Sequence, residues 1–181
     1  MTLSIITINR NNAAGLQKTM QSGQRRVLQI DGSKFEIEYI VIDGASTDDS
    51  VSIIQAHAAQ RPIVWVSERD KGIYNAMNKG IRMATGEYIM ILNSGDWLIS
   101  PNVIDQMSSA VRQAGCPDIL HGNIIKIWPN GKMLRDGHQR NDVTLLDLYL
   151  GTLNHGGTYI RRSLYERFGL LVVMIVSGAC L

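Results

Sequence analysis

The chain has 181 residues, enough for one compact domain with little room for two. It is 45% hydrophobic and 19% charged, ordinary globular usage that excludes disorder and collagen-like repetition. Eighteen Lys and Arg against sixteen Asp and Glu leave a formal charge of +2, too even for a nucleic-acid-binding protein, and 6% aromatic residues are too few for a base-stacking surface.

The first strand is predicted over Leu3 to Ile8, ended by the turn Asn9-Arg-Asn-Asn12. This opening lacks the basic start and cleavage site of a secretory leader, and the two cysteines, Cys116 and Cys180, make no disulfide framework, so a cytoplasmic protein is expected. A helix from about Ala13 to Gln21 precedes a second strand, Ile37 to Ile42, which stops at Asp43-Gly44-Ala45-Ser46. Ser46 or Thr47 is expected to cap the next helix, with Asp48 and Asp49 in its first turn. Pro62 opens a third strand, Ile63 to Val66, followed by Ser67-Glu68-Arg69-Asp70.

The next helix has the clearest period: Ile73, Ala76, Met77, Gly80, Ile81 and Ala84 fall on one face. Tyr88 to Leu92 is a fourth strand ending in Asn93-Ser94-Gly95-Asp96, and Ser100-Pro101 starts a helix with Val103, Ile104, Met107 and Val111 inward. Beyond Gly115 the pattern changes. Asp118 to Trp128 reads as one long strand, turning at Pro129-Asn130-Gly131 into a hairpin with Lys132 to Leu134. A short helix over Thr144 to Leu150, a strand over Gly156 to Ile160 and a helix over Arg162 to Phe168 complete the pattern. The alternation predicts an α/β domain with a mostly parallel sheet, helices on both faces and an antiparallel C-terminal extension. The run Leu170 to Val176 is shorter than the roughly 18–20 residues of a membrane span. It reads either as a buried strand or as the aberrant tail, residues 170–181, of a chain cut or frame-shifted after a domain of residues 1–169.

Parallel α/β sheets bind ligands beyond the carboxyl ends of their strands. Those ends here deliver Asn9 and Arg10, Asp43, Glu68 to Asp70, and Asn93 to Asp96. Singly, each is better read as a turn former or helix cap; together they mark a site. Neither GxGxxG, GxxxxGK[ST] nor GxSxG occurs, which excludes the simplest dinucleotide, P-loop and hydrolase sites. A diphosphate held through a divalent cation remains open, with Asp96 the natural ligand. His57, His121 and His138 read as packing or solvated residues.

Asp43-Gly-Ala-Ser-Thr-Asp48, Gly72-Ile-Tyr-Asn-Ala-Met-Asn-Lys-Gly80, Ala84-Thr-Gly-Glu-Tyr88, Leu92-Asn-Ser-Gly-Asp96 and the segment Asn154 to Gly169 follow one another in the order seen in family-two glycosyltransferases. The chain most resembles the branch that builds bacterial exopolysaccharides such as colanic acid. That resemblance implies a Rossmann-like, GT-A-type nucleotide-sugar-binding domain. It implies inverting transfer from a UDP- or GDP-sugar to a saccharide or lipid-linked saccharide, with peripheral contact at the cytoplasmic face of the inner membrane. Thr7, Asn9 and Asp43 would line the nucleoside pocket, with Glu68 and Asn78 on the nucleoside and sugar side. Asp96 matches the last acid of the element that holds Mn²⁺ or Mg²⁺ on the diphosphate, although Asn93 and Gly95 replace acids found in many members. His155 and Arg161 would face the acceptor or the leaving diphosphate.

The family's general base lies beyond the Phe-Gly pair, but Phe168-Gly169 is followed here by no acid at all. The alternative is therefore a nucleotide-sugar-binding remnant without transfer activity. A nucleotidyltransferase is a third reading, for which Asn9 to Gly15 makes a poor phosphate loop.

Overall fold

The computed structural model describes residues 1–23, 27–30, 33–136 and 154–171. Its central strand, β1 (Thr2–Asn9), is buried from Leu3 to Asn9 because strands flank it on both edges and helices cover both its faces. Such burial demands an unbroken apolar run rather than alternation. Leu3 and Ile5 join Leu16 and Met20 of α1 (Ala13–Ser22), Ile54 of α2 (Ser50–Ala58) and Ile104 and Val111 of α4 (Val103–Gln113). Ile6 and Ile8 point the other way, into a cluster with Ala76, Met77 and Ile81 of α3 (Ile73–Met83) and Tyr165 of α5 (Arg162–Phe168).

β1 pairs in parallel with β3 (Ser33–Asp43) on one side and β5 (Tyr88–Ile91) on the other, a register that sets Asn9 opposite Asp43. β4 (Val64–Ser67) continues the parallel set beyond β3, whereas β2 (Val27–Ile30) forms an antiparallel hairpin with the start of β3. β9 (Thr158–Arg161) lies antiparallel to β5, and β6 (Ile119–His121) antiparallel to β9. The predicted α/β architecture with an antiparallel extension is thus present, with α1, α2 and α4 on one face and α3 and α5 on the other.

Several local expectations differ. The β2–β3 hairpin was passed over in the sequence, although Asp31-Gly32 between its two strands is a strong two-residue hairpin signature. The long strand expected over Asp118 to Trp128 breaks at Gly122-Asn123, where the Gly122 N–H donates to the carbonyl of Gly157 at 2.6 Å. Its first part becomes β6, and its second, β7 (Ile124–Ile127), pairs with β8 (Met133–Asp136) in a separate two-stranded sheet. α2 begins at Ser50 rather than beside Ser46, because the Ser46 hydroxyl is committed to Asp43. The helix expected over 144–150 lies outside the described residues, as does the tail from 172. Leu170 and Leu171 pack against the α3–α5 cluster.

Two glycines permit close approaches between elements. A Cβ on Gly80 would lie 2.3 Å from Ile6 Cγ2, so α3 rests directly on β1. A Cβ on Gly86 would lie 2.8 Å from the Ser4 backbone nitrogen. There Glu38 accepts bonds from Ser4 Oγ at 2.5 Å and from the Thr85 N–H and hydroxyl at 2.9 Å, fixing the entry to β5. Gly80→Val should therefore lower stability by about 1–3 kcal/mol or more through overpacking. Gly156→Ala, whose Cβ would meet only Leu92 at 3.8 Å, should leave the thermal midpoint nearly unchanged. Equal midpoints for the two variants in calorimetric melts would contradict this packing.

Candidate functional site

At the carboxyl edge of the sheet the Asp43 carboxylate is fully buried, and a buried charge must be hydrogen-bonded to persist. Its Oδ1 accepts from Asn9 Nδ2 at 2.9 Å and Ser46 Oγ at 2.5 Å; its Oδ2 accepts from the Ser46 N–H at 2.9 Å and Ser67 Oγ at 2.6 Å. Burial alone would raise its pKa, but the bonds from Ser46, Ser67 and Asn9 together outweigh burial and hold it below the ordinary value. The ends of β1, β3 and β4 are thereby tied to one group. Asn9 Oδ1, on a side chain 4% exposed, has no hydrogen-bond partner.

The Asn93–Asp96 loop after β5 is held by α1. Asn12, which caps α1 by accepting from the Gly15 N–H at 3.2 Å, also donates to the Ser94 carbonyl at 3.1 Å. Thr19 Oγ1 accepts from the Gly95 N–H at 2.9 Å and bonds the Asp96 carbonyl at 2.6 Å. Gly95 takes φ +102°, a conformation that side chains resist. Lys18 Nζ lies 3.0 Å from the centroid of the Trp97 ring. Asp96 itself is open to solvent at the rim, yet the protein around its carboxyl strips enough water to raise its pKa.

A cavity of about 920 Å³ opens beside Asp96, walled by Trp97, Leu98, Met107, Ile124 and Tyr159 and bounded by the β7–β8 hairpin. Asp96 is its one carboxylate among the described lining residues. On the other side of Asp43, Glu68 donates its N–H to the Asp43 carbonyl at 3.0 Å, while Lys79 bridges Glu68 at 2.8 Å and Asp70 at 2.6 Å.

The predicted site residues therefore divide. Asn9, Asp43, Glu68 and Asp96 gather along the carboxyl edge, and His155 joins that end in a 3₁₀ turn (His155–Gly157) whose Gly156 faces Leu92. Burial lowers the His155 pKa, which keeps the imidazole neutral near pH 7. Three others lie elsewhere. Thr7 is fully buried within β1, its hydroxyl 2.9 Å from that of Tyr39, whose pKa burial pushes up to about 12. Asn78 spends both ends of its amide on the Leu171 backbone, at 2.7 and 3.0 Å, tying α3 to the segment after α5. Arg161 pairs in register with Tyr88, at the start of β5 and so at the opposite edge of the sheet. There it bonds Glu87 at 2.9 Å, Asp118 at 3.0 Å and the Tyr88 hydroxyl at 2.9 Å, a staple between strands rather than a phosphate contact. Its neighbour Arg162 is likewise engaged, with Glu166 and the Gly86 carbonyl.

Sequence reasoning missed Asn12 and Thr19. The cap spacing Asn12 to Gly15 was a signal for the first; a threonine inside an amphipathic helix gave none for the second. No three His, Cys, Asp or Glu side chains converge into a metal cage among the described residues. Asp96 and the Asn93 Oδ1, buried without a hydrogen-bond partner, nonetheless offer the hard oxygens that Mg²⁺ or Mn²⁺ takes. They fit such an ion as a partial shell, which phosphate oxygens and water would complete.

A family model described as Glycosyl transferase family 2 matches residues 4–167. The chain belongs to glycosyl transferase family 2, and its fold is the GT-A type. Among curated proteins it is 38% identical over 121 residues to the uncharacterized glycosyltransferase Rv1514c of Mycobacterium tuberculosis, covering 67% of this chain and 44% of that protein. It is 28% identical over 125 residues to a PGL/p-HBAD biosynthesis glycosyltransferase of Mycobacterium bovis, covering 67% and 46%. The chain thus spans less than half the length of these relatives. Among solved structures it is similar to Pyrobaculum calidifontis mannosyltransferase PcManGT in complex with GDP-Man and Mn²⁺ (TM-score 0.65, 19% identity, 94% of this chain and 47% of that one). It is also similar to S. aureus TarS 1-349 in complex with UDP-GlcNAc (TM-score 0.67, 20% identity, 93% and 47%).

Because the folded Asp43 pKa is depressed, its contribution to stability is present above the ordinary carboxyl value of 3.8 and lost as pH falls through the lower folded value. The thermal midpoint should drop between about pH 5 and about pH 2, and less steeply in Asp43→Asn. Ser67→Ala, which removes one bond to the buried charge, should cost about 1.5–3 kcal/mol at neutral pH. Superimposable acid limbs for the parent and Asp43→Asn would refute this account.

Proposed function

We propose that this domain binds a nucleoside-diphosphate sugar along the carboxyl edge of its sheet and transfers the sugar with inversion to a saccharide or lipid-linked saccharide acceptor. The observation that carries the reading is the meeting, on one edge, of the buried Asn9–Asp43 pair, the α1-clamped Asp96 loop and a cavity large enough for an acceptor. The two solved relatives with GDP-Man and UDP-GlcNAc support a guanosine or uridine donor. The same reading places the protein in bacterial polysaccharide synthesis at the cytoplasmic face of the membrane; one curated relative is a PGL/p-HBAD biosynthesis glycosyltransferase. No helix among the described residues is long and apolar enough to cross a membrane.

In this reading the Asn9 side-chain amide oxygen Oδ1, buried and unpartnered, is the acceptor offered to the nucleobase, and Asp43 fixes its orientation from behind. Displacement at the anomeric carbon needs an attacking hydroxyl on one side and a stabilised diphosphate on the other. A divalent cation held by Asp96, with Asn93 beside it, would supply charge neutralisation for the departing diphosphate. The neutral His155 stands at the same end as the acceptor cavity and can hold one hydroxyl by either ring nitrogen. No residue is assigned to proton acceptance, since Asp96 is the cavity's one described carboxylate. That same observation favours the second reading, a donor-binding module without transfer.

Calorimetric titration of UDP and GDP, with and without Mn²⁺, tests the proposal. One nucleotide should bind saturably, and Mn²⁺ should tighten it. The raised folded pKa of Asp96 means that its ionised carboxylate costs stability as pH rises above the ordinary 3.8. Asp96→Asn should therefore keep or raise the thermal midpoint at neutral pH while abolishing the Mn²⁺ effect. Failure of both nucleotides to bind the folded chain would overturn the donor site. Release of free nucleotide from the matching sugar donor, faster with an acceptor present, would separate transfer from binding alone.

A further inference from the structure

Lys79 belongs to no predicted role, yet it is the most heavily committed cation near the proposed donor edge. It rises from α3, and its Nζ reaches Glu68 Oε1 at 2.8 Å, Asp70 Oδ1 at 2.6 Å and the Arg69 carbonyl at 3.2 Å. A single ammonium thus gathers three consecutive residues that follow β4. Its side chain is only 18% exposed and that of Asp70 only 9%, so the pair is shielded from solvent and salt on its inner side. Burial disfavours the ammonium, but the Asp70 and Glu68 bonds outweigh it and raise the Lys79 pKa.

The loop it holds is joined to the donor edge at two points. Glu68 donates its backbone N–H to the Asp43 carbonyl at 3.0 Å. The other Asp70 oxygen, Oδ2, lies 3.0 Å from where a Cβ on Gly44 would stand, with Arg10 Cδ at 3.4 Å from the same point. Gly44 immediately follows Asp43, so Asp70 and Arg10 frame the backbone at the mouth of the pocket.

Resting on the donor-site reading above, we infer that Lys79 is a positioning residue for the nucleoside: it fixes the Glu68–Asp70 loop beside Gly44 and so sets the shape of the pocket. Without the ammonium, Glu68 and Asp70 would repel each other, and Asp70 would be left buried and unpaired. The loop would move away from Gly44. A cation acting this way supports the nucleoside whether or not phosphates are attached, whereas a cation touching phosphate supports only the diphosphate.

The test measures binding of the nucleoside diphosphate that binds the parent chain, and of its parent nucleoside, to Lys79→Met, Asp70→Asn and the double variant. Lys79→Met should weaken both ligands to a similar extent, about tenfold. The double variant should bind about as well as the worse single one, because Lys79 acts through Asp70. Lys79→Arg should restore most of the affinity, and circular dichroism should report an unchanged fold. Should Lys79→Met fail to fold, Asp70→Asn alone must reproduce the joint loss. Unchanged affinities, a loss confined to the diphosphate, or fully additive losses would each overturn the inference while leaving the donor site standing. Absence of binding by the parent chain would overturn the donor site itself, and this inference with it.

Discussion

The arrangement depends on one buried negative charge. The Asp43 carboxylate stands at the exit of β3 without contact with water, and the four bonds that compensate it come from three parts of the edge: Asn9 at the end of β1, Ser46 in the following turn and Ser67 at the end of β4. A charge so placed is tolerable only if all those donors are present together. Their mutual dependence converts three separate strand ends into one rigid rim. Its consequence for function is that Asp43 has no lone pair left over for easy use by a ligand, while its neighbour Asn9 keeps a buried oxygen without a partner.

The second half of the edge is rigid for a different reason. Within the Asn93–Asp96 loop the Asp96 N–H bonds the Asn93 carbonyl, and the Ser94 N–H ties the loop to the Ile8 carbonyl of β1; the rest of its shape is imposed from α1. Thr19 and Asn12 reach it from one helix, 76 to 82 residues distant in sequence. α1 is itself anchored through Leu16 and Met20 in the core beside Leu3 and Ile5. The position of Asp96 is accordingly inherited from core packing rather than from the loop's own sequence.

This explains what could and could not be read from the residues alone. The parallel strands and α3 were legible because full burial writes itself as unbroken apolar runs and as an i, i+3, i+4 stripe. The edge was legible too, since strand ends collect polar groups wherever a sheet binds ligands. Placement departed from expectation where a residue's bonds are set by a distant partner. Thr7, placed in the nucleoside pocket by the resemblance, turns its hydroxyl to Tyr39, one strand away. Arg161 was assigned by the resemblance to the acceptor or the leaving diphosphate; the antiparallel direction of β9 carries it to the other end of the sheet. Asn78 shares a motif with Lys79, yet on a helix adjacent residues point apart: Asn78 meets Leu171, and Lys79 meets Asp70.

An edge built from acids must still receive an anionic donor, and the way each carboxylate is compensated decides where that is possible. Asp43 is neutralised from within by hydrogen bonds, Asp48 accepts from the backbone of Ala13 and Ser50, and Glu68 and Asp70 share Lys79. Desolvation raises the pKa of Asp96, and no cation pairs with it among the described residues. Its charge is the one left to be balanced from outside. A divalent ion brought by a diphosphate would cancel the cost of keeping Asp96 ionised and, in the same step, the repulsion between donor and edge. Under the proposed function, the distribution of compensation, more than the number of acids, makes Asp96 the place where metal and leaving group would meet.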